Sequence, residues 1–282
     1  MIQSELSGLA GKAEQTVRSY APWIEKLARL GFLAKAVLYV TIGALATAAA
    51  LRLGGTPATG SRGAMAHLLE APFGEVLLVV IAIGLFGYAA WRIVEGIADP
   101  EGHGKRAKGI AKRTRSIGVG IVHVALAISA IKLAAGDLSE ASDGQQTQNW
   151  TARALATPGG TLALWLVALA FIGYGAFQLY NAYRAKLDRR LALGRLSWRA
   201  RRFVIAASRF GIAARGVVFG TIGILLVRGI QHRDPSEARG MRAALLQLFE
   251  LGRWPFLAVA IGLVAYGIYQ FINARYRRIA VA

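Results

Sequence analysis

Six long apolar stretches limit this chain more than any other feature: residues 32–53, 73–98, 117–135, 161–183, 211–230 and 255–274. A bilayer core about 30 Å thick needs roughly 20 apolar residues of helix to cross it, and each stretch supplies them. The glycines scattered through these stretches would each cost a water-exposed helix about 1 kcal/mol. In lipid they let neighbouring backbones approach closely. Six buried helices of a water-soluble protein would need a large polar coat, yet 55% of the residues are hydrophobic and only 17% charged. The expected class is therefore an all-α integral membrane protein with six transmembrane helices.

Charge sets the expected orientation. The chain has 34 Lys and Arg against 15 Asp and Glu, a formal charge of +19. Most of the basic residues fall on one side of the six spans. They lie in the N-terminal segment, in the run from Lys105 to Arg115, in the connection at 184–209, and in the tail with Arg275, Arg277 and Arg278. The opposite connections hold Arg62, Arg153, Arg233, Arg239, Arg242 and Arg253 beside Asp137, Glu140, Asp143, Asp234, Glu237 and Glu250. The positive-inside rule then puts both termini in the cytoplasm, for a multi-pass protein of the bacterial inner membrane. Such basic runs rest on anionic lipid, at about 1 kcal/mol per residue near the surface; this explains them more simply than nucleic acid does, and no nucleic-acid partner is expected. No cleaved leader is expected at residues 1–31, which lack an apolar run ending in a small-residue cleavage site. Residues 9–30 read instead as amphipathic, with Tyr20, Trp23, Ile24 and Leu27 near Arg18, Lys26 and Arg29, suited to lie along the headgroups.

The spans form three copies of one unit. Gly31, Lys35, Tyr39 and Gly43 of the first recur as Gly211, Arg215, Phe219 and Gly223 of the third. The middle copy places Val119, Gly120 and His123 in the matching region and lacks the equivalents of Gly31 and Lys35. In the second helix of each copy, Gly84, Gly87 and Tyr88 match Ala170, Gly173 and Tyr174, and then Gly262, Ala265 and Tyr266. Each copy crosses twice and returns, so the copies are parallel rather than inverted. The expected organisation is an N-terminal amphipathic segment (1–26) and hairpin repeats at 27–104, 110–190 and 203–282, in a pseudo-threefold bundle. Short helices at 61–70, 151–156 and 237–251, with Pro72 and Pro158 opening the helices that follow, are expected to lid the outer end. The polar stretch 136–149 should be its most mobile loop.

Arg29 with Gly31, Thr41 with Gly43, Pro72 with Gly74, and Gly84, Tyr88 and Trp91 together carry a resemblance. The pattern resembles a bacterial membrane family known as domain of unknown function 1206, built of three such two-helix repeats. The resemblance runs over residues 27–282. It implies a fold and no reaction.

A polar stripe recurs at helical spacing in the second helix of each copy. It reads Tyr88, Trp91, Arg92 and Glu95; then Tyr174, Phe177, Gln178 and Asn181; then Tyr266, Tyr269, Gln270 and Asn273. Polar groups within a span are costly and face a bundle interior or water. Two readings follow: a ring lining a vestibule or small-ligand site, or interfacial aromatics with amides that tie helices together. Lys35, one turn inside the first span, is expected to pair with Glu95, with Arg92 sharing the carboxylate. Arg215 is left with two destinations, Glu95 or a lipid phosphate. Arg52, Lys132 and Arg228, near the outer ends of spans, read as snorkelling anchors.

His123 is the one histidine well inside a span, and a packed, hydrogen-bonded ring fits it better than haem ligation, because no other span supplies a second ligand. With no cysteine, disulfides, thiolate metal sites and cysteine nucleophiles are excluded. Zinc-protease spacing, phosphate loops and nucleophile elbows are also missing, so neither cofactor, metal nor catalytic residue is expected. The leading expectation is a non-catalytic structural or accessory membrane component, with another membrane complex or a second copy as partner. A channel or transporter along the pseudo-axis, and a lipid or apolar-ligand binder, are the alternatives.

Overall fold

The computed structural model describes residues 2–53, 59–99, 104, 106–137, 145–184, 197–238 and 240–277, with side chains from 25 onward in the first helix and from 147 in the fifth. Among the described residues nine α-helices follow one another: α1 (Ile2–Leu51), α2 (Ser61–Leu69), α3 (Gly74–Ala98), α4 (Ala107–Ala134), α5 (Gln145–Ala156), α6 (Gly160–Arg184), α7 (Trp198–Gln231), α8 (Gly240–Glu250) and α9 (Arg253–Tyr276). Six of them, α1, α3, α4, α6, α7 and α9, carry stretches long and apolar enough to cross a membrane. The centre of the expected loop at 136–149, residues 138–144, lies outside the described residues.

The N-terminal segment is helical but not separate. It runs into the first span as a single helix of 50 residues, about 75 Å long at 1.5 Å per residue, and Pro22 falls within it without ending it. Its amphipathic faces around Arg18, Tyr20 and Trp23 lie outside the described side chains. Helices α4 and α7 likewise begin about three turns before their apolar runs, on basic sequence that hydropathy alone reads as connection. Pro72 and Pro158 sit just ahead of α3 and α6 rather than inside them. Phe73 and Gly159, each with positive φ, make the turn between proline and helix.

The spans stand in a ring in chain order: α1, α3, α4, α6, α7, α9, with α9 packed back against α1. The tightest seams join different repeats: α3 to α4, α6 to α7, and α9 to α1. Small residues make each of them. A methyl group on Gly175 would stand 2.8 Å from the Gly216 carbonyl oxygen, one on Gly267 2.9 Å from that of Ala36, and one on Gly120 3.1 Å from that of Ala89. These are equivalent positions in the three copies, so the pseudo-threefold arrangement is built into backbone contact. Arg29 pins the α9 end of this ring, its guanidinium donating to the carbonyls of Ala274 at 2.6 Å and Arg275 at 3.2 Å. Replacing Arg29 with Ala should speed amide exchange in the last turn of α9 and leave α3 unchanged, as read by hydrogen–deuterium exchange mass spectrometry.

Within repeats the ring is uneven. Helices α1 and α3 pack together, as do α7 and α9, but α4 and α6 do not pack along their length. Gly31 brings α1 so close to α3 that a methyl there would be 2.6 Å from the Gly84 oxygen. Gly211 does the same in α7, 2.6 Å from Tyr266 Cα. The middle repeat has Arg115 at that position, with no glycine to allow the same approach. Gly118 of α4 and Gly173 of α6 are exposed, with no atom within 4 Å of a would-be methyl. Their counterparts Ala34, Ala214, Gly87 and Ala265 are all buried. The ring thus has five closed seams and one lateral opening.

The end of the ring opposite the termini is lidded by the short helices. Ala64 and Met65 of α2, and Ala244 and Leu245 of α8, are fully buried, and Arg62 of α2 donates to Ser129 of α4 at 3.1 Å. Arg52, Lys132 and Arg228 lie exposed at that end.

Candidate functional site

One aromatic side chain from each span faces its neighbour across a seam between repeats. Tyr39 of α1 meets Tyr266 of α9 with ring centroids 4.6 Å apart, Tyr88 of α3 meets His123 of α4 at 4.7 Å, and Tyr174 of α6 meets Phe219 of α7 at 5.2 Å. These three pairs occupy equivalent positions and form a single layer midway along the spans. Aromatic pairs at such distances contribute about 0.5–1.5 kcal/mol beyond their burial. His123 belongs to the layer, its Nδ1 donating to the Val119 carbonyl at 2.7 Å. Its ring is buried and packed against Tyr88.

The polar stripe faces inward, but not equally in the three copies. Arg92, Gln178 and Gln270 are all buried, as are Tyr88, Tyr266, Glu95 and Asn273. Tyr174, Asn181 and Tyr269 are half-buried. The open seam explains the contrast at the second stripe position. Trp91 is 4% exposed, wedged beside Phe32 of α1, whereas Phe177 is 42% exposed because α4 does not close over it. Asn273 bonds within its own helix, donating to the Tyr269 carbonyl at 2.8 Å.

The expected charge pairing forms only in part: Arg92 takes the Glu95 carboxylate, as expected, while Lys35 and Arg215 go elsewhere. Glu95 pairs with Arg92, one turn before it on α3, and Lys35 does not reach it. The register of the α1–α3 seam is the reason. Gly31 lies against Gly84 and Tyr88, which sets Lys35 deeper, with its Nζ 4.1 Å from the centre of the Tyr88 ring. Glu95 is eleven residues beyond Gly84, about 16 Å along the helix. Arg215 goes neither to Glu95 nor outward. It reaches across the ring, Nε donating to the Tyr39 hydroxyl at 3.0 Å and a terminal nitrogen to the Tyr174 hydroxyl at 2.8 Å. Its guanidinium lies 4.6 Å from the Phe219 ring centre and 4.9 Å from that of Tyr266. It is a hub for three helices besides its own.

Two residues of this site were not singled out as site residues by their sequence, although alignment of the repeats contains the signal. Tyr39 accepts from Arg215, and it aligns with His123 and Phe219. Arg115 occupies the position of Gly31 and Gly211, and its guanidinium lies 5.5 Å from the Phe177 ring centre at the mouth of the opening. If Arg115 is what holds the mouth apart, Arg115→Gly should let α4 and α6 approach toward the 8–10 Å spacing of packed helices. Spin labels on the exposed faces of α4 and α6 should then give a shorter distance by pulsed electron paramagnetic resonance. Labels on α1 and α3 should give the same distance as in the unaltered protein.

The family described as Domain of Unknown Function (DUF1206) matches the chain three times, at residues 30–99, 116–185 and 210–277, one match on each hairpin. The Bacillus subtilis (strain 168) protein called Uncharacterized protein YxxB is 30% identical over 258 residues, covering 91% of this chain and 92% of that one. No solved structure matches the chain.

Proposed function

The chain belongs to the Domain of Unknown Function (DUF1206) family, and from that premise we propose that it is a non-catalytic binding protein of the bacterial cytoplasmic membrane, taking an amphipathic molecule sideways from the bilayer between α4 and α6. Its accessory role is to hold or present that molecule to another membrane component. Both termini lie in the cytoplasm, where the basic connections rest on anionic lipid. The observation that carries this reading is the single open seam in an otherwise closed ring. An opening lined by Gly118, Gly173 and Ala170 faces lipid, and small residues there leave room for a chain to enter.

The reading is favoured over an axial pore by what occupies the middle of the ring. Arg215 crosses the interior from α7 to the Tyr39 hydroxyl of α1 and the Tyr174 hydroxyl of α6, at the level of the three aromatic pairs. Conduction needs a route that ions can both enter and leave.

Native mass spectrometry of the gently extracted protein tests the proposal. An amphiphile should co-purify with the unaltered protein, be lost from Gly173→Trp, which plugs the opening, and remain on Ile83→Trp, which alters an exposed face of α3. Equal retention by the two variants, or no bound amphiphile at all, would overturn it. So would ion flux through proteoliposomes that disappears in the Arg92→Ala/Gln178→Ala/Gln270→Ala variant.

A further inference from the structure

The interior of the ring has an imbalance of charge that its own residues do not settle. Among the described residues its buried cations are Lys35, Arg92 and Arg215, at 5%, 8% and 8% exposure, against one buried carboxylate, Glu95. Glu95 is committed to Arg92. No described carboxylate comes within 4 Å of Lys35 or Arg215, whose neighbours are tyrosines and phenylalanines. Arg92 Nε is buried without any hydrogen-bond partner. An uncompensated cation held inside a membrane bundle is expensive and marks a functional site by default.

Resting on the lateral-entry reading above, we infer that the missing negative charge is a phosphate-class oxyanion, the headgroup of an anionic lipid drawn in between α4 and α6. The route and the chemistry agree. Arg115 stands at the mouth, beside Phe177. Tyr174 lies half-buried behind it and already accepts from Arg215, so its own hydroxyl proton is left to donate onward. Tyr39 stands in the same relation to Arg215 on the far side. Arg215 spends two N–H groups on these hydroxyls and keeps others, in the planar fork that suits phosphate oxygens. Lys35 adds a second point charge against the Tyr88 ring. The acyl chains stay in the opening lined by Gly118 and Gly173.

The full chain in an uncharged detergent is the material for the test, with melting temperature followed as ligand is added. The probes are short-chain phosphatidic acid, inorganic phosphate and the matching uncharged diacylglycerol. Phosphatidic acid should raise the melting temperature with saturation. Arg215→Met should raise the half-saturating concentration by at least about tenfold, the loss of one charge-assisted contact, and Lys35→Met should act in the same direction if the first variant folds poorly. Arg209→Gln, an exposed arginine on the same helix, should leave it unchanged. Binding that is equal in Arg215→Met, Lys35→Met and unaltered protein overturns the oxyanion site. Diacylglycerol acting as well as phosphatidic acid also overturns it, while leaving lateral entry standing. Inorganic phosphate acting as well as the lipid keeps the oxyanion chemistry but overturns lipid as its source, and lateral entry falls with it.

Discussion

Gly211→Val should be among the most damaging single substitutions in the membrane part of this protein, and Gly173→Val among the mildest. Both residues lie in spans, both are glycine, and propensity alone would rank the two changes alike. Packing separates them. At Gly211 the added side chain meets backbone, with the Tyr266 Cα at 2.6 Å and the Ala265 carbonyl carbon at 2.8 Å, and backbone cannot rotate out of the way. Overpacking of this kind costs about 3 kcal/mol, and α7 must move from α9 to relieve it. At Gly173 there is no atom within 4 Å, and a change within about 0.5 kcal/mol is expected. Thermal unfolding of the two variants in one detergent checks the contrast. Equal losses would mean that the seam between α4 and α6 is closed in solution like the others.

Glu95→Gln should destabilise the protein by about 3–5 kcal/mol, because it leaves the Arg92 guanidinium charged, buried and unpaired. The double change Arg92→Met/Glu95→Met removes both charges together and should recover most of that loss. Asn181→Asp, at the matching but half-buried position of the middle repeat, should cost less than Glu95→Gln. A double-mutant cycle on purified protein measures the coupling. Additive losses at 92 and 95 would show that the two side chains do not act as a pair.

The spans and their threefold repetition were readable from the sequence because lipid demands both. A helix without water to satisfy its backbone needs about twenty apolar residues, and close helix contact needs small ones at fixed places. The boundaries of α4 and α7 were less readable, since their first turns are basic and resemble connection. The pairing of Lys35 with Glu95 failed for a different reason. Depth counted from the ends of two spans assumes that the helices are level, and the contact of Gly31 with Gly84 offsets them. Sequence comparison of the copies lines up Ala36, Gly120 and Gly216 without saying which helix each will touch. The strongest seams therefore turned out to lie between the hairpins. The inward face of the polar stripe was one of two readings available beforehand; the aromatic layer that Tyr39, His123 and Phe219 share with Tyr88, Tyr174 and Tyr266 became apparent only when their side chains could be placed together.

An assembly of three separate, identical hairpins would be bound by its symmetry to have three doors or none. Tethering the copies in one polypeptide lifts that obligation. Arg115 could replace glycine once, in the central copy, while Gly31 and Gly211 went on sealing the flanking ones. A covalent trimer can keep the wall that symmetry builds and still break it in one chosen place.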